Sequence, residues 1–248
     1  MGFLFLHSGS LPLGNILFET FKISDGVGKA IVIILIFVSI VAWCIMLAKH
    51  IELVKVERAD RTFKHAFDRQ ENPLELYVRG PAHADSPLGK IYNRACLAVK
   101  REFEARAQKQ HRMLSQIDLS QEKLTALQID AIRKVAECEA ADQILLIEDQ
   151  MASLGVVYTV APLGGLLGTV WGVMIAFYGM GLHGTPSISA VAPGISSALL
   201  TTVVGLLVAI PSGVGCHKLN EKIRFLGVQM ENFSEELATR LQQSFLYE

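Results

Sequence analysis

From Met151 to Cys216 the chain has no aspartate, glutamate, lysine or arginine. Sixty-six such residues in succession are too many for a soluble core, so this stretch excludes an ordinary water-soluble domain. Cysteine is scarce and scattered. Cys44, Cys96, Cys138 and Cys216 form no CxxC pair and have no histidine at metal spacing, which removes the usual zinc and redox motifs and predicts reduced thiols. GxxxxGK[ST], GxSxG and HExxH are missing, so nucleotide hydrolysis and proteolysis lack their machinery and the chain reads as a non-enzyme without cofactors. Neither sign of charge is in excess: 23 basic and 24 acidic side chains leave a net charge of −1, which argues against nucleic acid as a partner. No strand-type alternation of any length occurs, and the reading is all-α.

What is present is apolar sequence in three blocks. A spanning helix needs about 20 residues, so 151–216 fits two spans joined by GLHGTPS, and AIVIILIFVSIVAWCIMLA supplies a third, flanked by Lys29 and Lys49, which can snorkel. The expected organisation is an N-terminal arm (1–29), a first span (30–48), a charged helical region (49–152), a second span (153–180), a turn (181–187), a third span (188–216) and a C-terminal helix (217–248). The start, MGFLFLHSGS, lacks the basic residues of a cleavable signal, so the first span is expected to be an uncleaved anchor. Of the 23 basic residues, 17 lie in 49–152, four beyond Cys216, two in the arm and none in the turn. Positive charge stays inside, which places the N-terminus and turn outside and the charged region and tail in the cytoplasm.

In the charged region, NPLELYVRGPAHADSP reads as a break, Pro87 opens a helix, and Ser120 is a candidate N-cap. Leu124, Leu127, Ala131, Val135, Cys138 and Ala141 suggest a buried stripe, on one helix running unbroken from the cytoplasm into the membrane until Gly155 and Pro162. Leu219, Ile223, Leu226, Met230, Phe233 and Leu237 repeat at 4-3-4-3-4, a coiled-coil seam that extends the third span.

Within the spans, Gly164, Gly168 and Gly172 line one helix face, and Pro193, Ser197, Thr201, Gly205, Ala209 and Gly213 line another. Small residues four apart let backbones approach, so Gly164, Gly168, Gly172, Pro193, Gly194 and Gly205 are expected packing positions. Hydroxyls are the other feature: Thr159, Thr169, Ser196, Ser197, Thr201 and Thr202. Each can simply bond the carbonyl one turn back. Together they can also line a hydrated proton path whose ionisable group comes from another chain. His183 and His217 sit at expected interfaces, where a solvated histidine is ordinary.

APLGGLLGTVWGVMIAF followed by VAPGISSALLTTVVGLLVAIP closely resembles the paired signature of the TolQ/ExbB family, a more distant relative of the flagellar stator protein MotA. The resemblance is specific over the last two spans, and SIVAW in the first agrees with it. It implies a multi-pass protein of the bacterial inner membrane, a homopentameric ring around two copies of a single-span ExbD/TolR-type partner with a membrane aspartate, and a TonB/TolA-type third protein. Protons would be the coupling ion. By the same resemblance Thr169 and Thr202 match pore-facing threonines, with Thr201 and Ser197 beside them as pore-lining candidates. One departure stands out: the family usually reads APGIAEAL, with glutamate where this chain has Ser197. The implied task is TolQ-like support of envelope integrity and division, towards which the short arm leans, or ExbB-like energising of TonB-dependent import. A passive scaffold recruiting soluble partners through its helices is the alternative, and a lone solute transporter fits poorly with three spans.

Overall fold

The computed structural model describes residues 13–78, 85–109, 123–183 and 188–245. Among these, every regular element is a helix: α1 (Leu13–Ile23), α2 (Gly26–Asp68), α3 (Glu75–Val78), α4 (Pro87–Lys109), α5 (Ala126–Glu148), α6 (Met151–His183) and α7 (Ile188–Phe245). α2, α6 and α7 are long and apolar enough to cross a membrane, and α2 and α7 continue beyond their apolar parts into charged sequence. The chain is thus all-α, with three membrane-spanning helices and long helical extensions. Ser120, residues 184–187 of the expected turn and the first 12 residues of the arm lie outside the described residues.

Helix starts follow local chemistry. Asp25 Oδ1 accepts from the Gly28 N–H at 3.0 Å and opens α2. Pro87 occupies the first position of α4, where its missing N–H costs nothing, and Ser86 Oγ accepts from Gly89 N at 3.1 Å. α5 begins with a capping box in which Thr125 receives the Gln128 N–H and the Gln128 side chain reaches back to Thr125 N.

The unbroken helix expected from residue 124 into the membrane does not occur. α5 ends at Glu148, Asp149 leaves helical geometry at ψ 142°, and Gln150 takes φ 68° before α6 starts at Met151. A left-handed residue ends an α-helix as a C-terminal glycine does, here without the glycine that would have announced it. Gly155 and Pro162, where the break was expected, lie inside α6.

The chain forms two compact units. The apolar unit takes α1, the first part of α2, α6 and the first part of α7. Its core is Leu35 of α2, Ala161 of α6 and Val208 and Ala209 of α7, flanked by Ile31, Val157 and Val204. Ile33, Phe37, Leu167, Val170 and Leu207 point outward, as side chains do when lipid or another helix is the solvent.

The charged unit takes the remainder of α2, then α3, α4, α5 and the end of α7. Its centre is aromatic: Phe63, Phe67, Tyr92 and Phe233 meet at ring-centroid distances between 5.2 and 6.3 Å. Tyr92 OH donates to Pro73 O at 2.7 Å and accepts from Tyr77 N at 3.0 Å, tying the 72–78 segment to α4. All six seam residues from Leu219 to Leu237 are buried, and they pack inside this unit of one chain. Around the core, Lys222 pairs with Glu57 at 2.5 Å, Lys64 with Glu236, and Arg240 with Asp68 at 3.1 Å while its guanidinium lies over the Phe67 ring. The Lys222 hydrogen bond holds the Glu57 carboxyl below the usual range. Lys49, expected to snorkel, is buried and paired with Glu52 at 2.9 Å.

Of the three-and-four-spaced residues expected as a stripe along α5, Leu124 is buried and Val135 half-buried, but the rest of the stripe faces outward. Leu127 is 80% exposed, and Ala131, Cys138 and Ala141 are exposed, whereas Ile129, Ile132, Ala136, Ala140, Gln143 and Ile147 are buried. Apolar residues occur nearly all round this helix, so spacing alone does not choose a face. The buried face packs Ile129, Ile132 and Ile147, and polar pairs with α4 flank it: Glu102 receives Gln128 Nε2 at 2.7 Å, and Lys90 donates to Gln143 Oε1 at 3.3 Å. Cys96 is sealed in this core, where burial pushes its thiol up to about 12, so it is inert as a nucleophile.

Among the described residues two buried side-chain atoms lack a hydrogen-bond partner, Arg133 Nε and Asp60 Oδ2. Asp60 is buried, and its Oδ1 receives Ser86 Oγ at 2.6 Å and Leu88 N at 3.2 Å, but Oδ2 has no partner. Burial raises its pKa against the pull of those two bonds. A raised folded pKa means that the protonated form fits the fold better. The contribution is full below the ordinary aspartate value of about 3.9 and is lost as pH rises through the raised value. Asp60→Asn keeps the Oδ1 acceptor and removes the buried charge. The melting-temperature difference, variant minus wild type, is therefore expected to grow from pH 4 to pH 7; a difference independent of pH would contradict it.

Candidate functional site

Charge is absent from the spans, so their chemistry rests on hydroxyls and backbone carbonyls where α6 meets α7. The two backbones come close. A β-carbon on Gly165 would lie 2.8 Å from Thr201 O and 3.0 Å from Thr202 Cα, and one on Gly205 would lie 2.8 Å from Ala161 O and 3.1 Å from Gly165 Cα. Real side chains do not tolerate such contacts, so these positions accept only hydrogen. The seam extends through Gly168, whose β-carbon would strike Thr201 Cβ at 2.7 Å, Gly172, which faces Ala198 Cβ at 2.7 Å, and Gly194, which faces Ala176 Cβ at 2.9 Å.

The expected packing residues divide accordingly. Gly168, Gly172, Gly194 and Gly205 are at the α6–α7 seam, while Gly164 faces α2, where a β-carbon would meet Leu35 Cδ2 at an ordinary 3.5 Å. Pro193 is exposed and departs from the expected line. Spacing of four overshoots the 3.6-residue turn by about 40° per step, so two steps back from Thr201 it has rotated about 80° off the seam. Gly165, with the most crowded backbone on α6, was missed: it is adjacent to the Gly164 line, and only its apposition to Gly205 reveals it.

The close approach gathers three hydroxyls around two carbonyls. Thr169 Oγ1 is 3.1 Å from both Gly165 O and Ala198 O, 3.5 Å from Thr201 Oγ1, and in contact with Thr202 Oγ1. Thr201 Oγ1 reaches Ala198 O at 2.7 Å and Gly165 O at 3.0 Å, and Thr202 Oγ1 reaches Gly165 O at 3.3 Å. Each hydroxyl has one proton to donate and two lone pairs, so the group can satisfy itself in more than one arrangement and still accept from outside. Thr201 is fully buried, whereas Thr169 and Thr202 are half-buried and bring the cluster to the surface of the helix pair. A carboxylic acid arriving there could donate to a threonine oxygen; its carboxylate could accept from a reoriented hydroxyl.

The other hydroxyls stay apart. Ser197 is buried and donates to Gly194 O on its own helix at 2.9 Å. Thr159 bonds Gly155 O at 2.9 Å one turn back, and Ser196 is exposed. His217 is exposed on α7, and His183 ends α6. Among the described residues no group of histidine, cysteine and carboxylate side chains could hold a metal ion.

The sequence that folds into this arrangement has relatives among known proteins. The model of the MotA/TolQ/ExbB proton channel family matches residues 99–232, more than half the chain, and the chain belongs to that family. Similar relatives include the biopolymer transport protein ExbB of Neisseria meningitidis serogroup A, 28% identical over 89% of this chain and 94% of the relative, and the Tol-Pal system protein TolQ of Haemophilus influenzae, 28% identical over 86% and 88%. A shorter match, 48% identical over 61 residues, is to ExbB of Pseudomonas putida. Membership gives this chain a general TolQ/ExbB-type proton-channel role as a non-catalytic, multi-pass inner-membrane subunit, in partnership with ExbD/TolR-type proteins.

If the seam depends on bare backbone, one methyl group disturbs it. Gly205→Ala is expected to lower resistance to unfolding in denaturing detergent by about 1–3 kcal/mol, the usual cost of overpacking. Gly155→Ala, with nothing within 4 Å of its added carbon, should leave that midpoint unchanged or slightly higher. Equal midpoints for the two variants would contradict the close approach.

Proposed function

We propose that the Thr169–Thr201–Thr202 cluster is the subunit's contribution to a proton path, completed by a carboxylate from another chain. The observation that carries this is the open hydrogen-bonding capacity of three hydroxyls where two helices meet in the charge-free stretch from Met151 to Cys216. A buried carboxyl has its pKa raised by desolvation and lowered by hydrogen bonds to its ionised form. Adjustable hydroxyls can serve both states, so a proton can load and leave without either state being trapped.

The reading is of a homopentameric ring around two copies of a single-span ExbD/TolR-type protein whose membrane aspartate meets Thr169 and Thr202. The N-terminus is periplasmic and the charged unit and C-terminus cytoplasmic. Proton flow through the assembly does work on the envelope, either TolQ-like in integrity and division or ExbB-like in energising import, with a TonB/TolA-type third protein receiving it. Ser197, where the family's usual glutamate is replaced, leaves proton handling to the partner's carboxylate. That same replacement favours the one competing reading, a passive scaffold that recruits soluble proteins through its helices.

Thr169→Val and Thr202→Val conserve side-chain shape and remove one hydroxyl each. Each variant is expected to assemble as the wild type does and to lose proton-driven function by about tenfold or more, the equivalent of one hydrogen bond to a charged group at about 1.5–3 kcal/mol. The check is assembly by native mass alongside energised function in cells lacking the wild-type gene. Full activity of both variants would overturn the proton-path role of the cluster.

A further inference from the structure

The charged unit has two charged surfaces that its own ion pairs leave unused. Lys55, Arg58 and His65 on α2, and Arg69 just past its end at Asp68, follow a 3-7-4 spacing, with Thr62 completing the row, and all are exposed. They lie on the side of the helix away from Phe63 and Phe67. None of the four has an ion-pair partner among the described residues, although Arg61 and Lys64 on the same helix do. Between α5 and α7, two adjoining depressions of about 350 and 470 Å³ share Ile144 and Glu231. Their floor is apolar, with Ile144 and the half-exposed Val228, and their rim is acidic, with Glu137, Glu148, Glu231 and Glu235 against Arg224. Arg133 offsets Glu235 and Glu137 at 3.5 and 3.7 Å, but among the described residues Glu148 and Glu231 have no ion-pair partner.

We propose that the acidic α5–α7 groove of one copy seats the basic α2 stripe of the next, so that these two surfaces join neighbouring subunits. Lengths agree: Lys55 to the end of α2 at Asp68 covers about 20 Å of helix and Glu137 to Glu148 about 17 Å, at about 1.5 Å per residue. A basic peptide could fill the groove and an anionic lipid could cover the stripe, but a second copy of this chain satisfies both at once. A two-fold contact would have to seat both stripe–groove pairs at once, each stripe in the other copy's groove. Complementary, non-identical patches instead make a head-to-tail contact, which repeats and can close into a ring. The inference rests on the ring reading and specifies which faces of the charged unit form it.

A reciprocal charge swap in the full-length protein tests it, with native mass measured after mild extraction from membranes. Arg58→Glu with Arg69→Glu, and separately Glu148→Lys with Glu231→Lys, are each expected to cut the oligomer fraction by about tenfold. All four substitutions in one chain should restore it, which a folding defect would not allow. Independently, a chain with Cys44→Ser, Cys138→Ser, Arg58→Cys and Glu231→Cys should give a ladder of multimers with a short thiol cross-linker. Wild-type-like oligomers from both reversed variants, or no rescue together with no ladder, would overturn the inference while leaving a wild-type ring standing. Intact oligomers with lost binding of the α2 variant to phosphatidylglycerol vesicles would overturn it too, and assign the stripe to lipid. A monomeric wild type would remove the ring reading itself.

Discussion

At Gly165 and Gly205 there is room between two helix backbones for a hydrogen atom and nothing larger, and the rest of the apolar unit depends on that constraint. Lipid tails offer no hydrophobic reward for helix association, so α6 and α7 are held by close packing and by hydrogen bonds across the seam. Close packing also makes those bonds possible. Thr169 reaches Ala198 O, and Thr201 and Thr202 reach Gly165 O, because small residues let each side chain touch the opposite backbone. Packing and polar chemistry are thus one feature. A larger residue at the seam would separate the helices and scatter the clustered hydroxyls.

The charged unit uses a different physics. Its aromatic centre and buried α7 seam give ordinary hydrophobic cohesion, and its ion pairs between α2 and α7 sit around that core. Exposed pairs of this kind contribute little apiece. Their value lies in marking which charges are spoken for, and hence which surfaces remain to meet a neighbour. α2 and α7 contribute to both units, so each of these helices must satisfy lipid-facing and water-facing rules along its length.

Much of this was legible in the residues. The charge-free stretch announced two spans, the 4-3-4-3-4 seam on α7 is buried, and the glycines at 168, 172 and 205 lie at a helix seam, because each signal arises from one dominant force acting along a long element. The failures have equally local causes. Leu127, Ala131, Cys138 and Ala141 made as good a stripe as the buried one, and spacing alone could not choose between two faces that both carry apolar residues. The α5–α6 break at Gln150 carried no glycine or proline. Pro193 left its line because four-residue spacing drifts on a 3.6-residue helix. Gly165 gained its significance from a contact 40 residues away in sequence, at Gly205. In the site, Thr169, Thr201 and Thr202 come together, while Ser197 turns to its own helix, a distinction that the shared hydroxyl chemistry could not make.

The central claim is that this chain supplies the hydroxyls of a proton path and another chain supplies the ionisable group. The most direct measurement is proton movement into vesicles containing this chain alone, and containing it with a single-span partner that has a membrane aspartate, under an imposed membrane potential. The account expects no flux from the chain alone, and flux from the pair that disappears when the partner's aspartate becomes asparagine. Equal flux from the lone chain, or flux from the pair that survives loss of the aspartate, would contradict it.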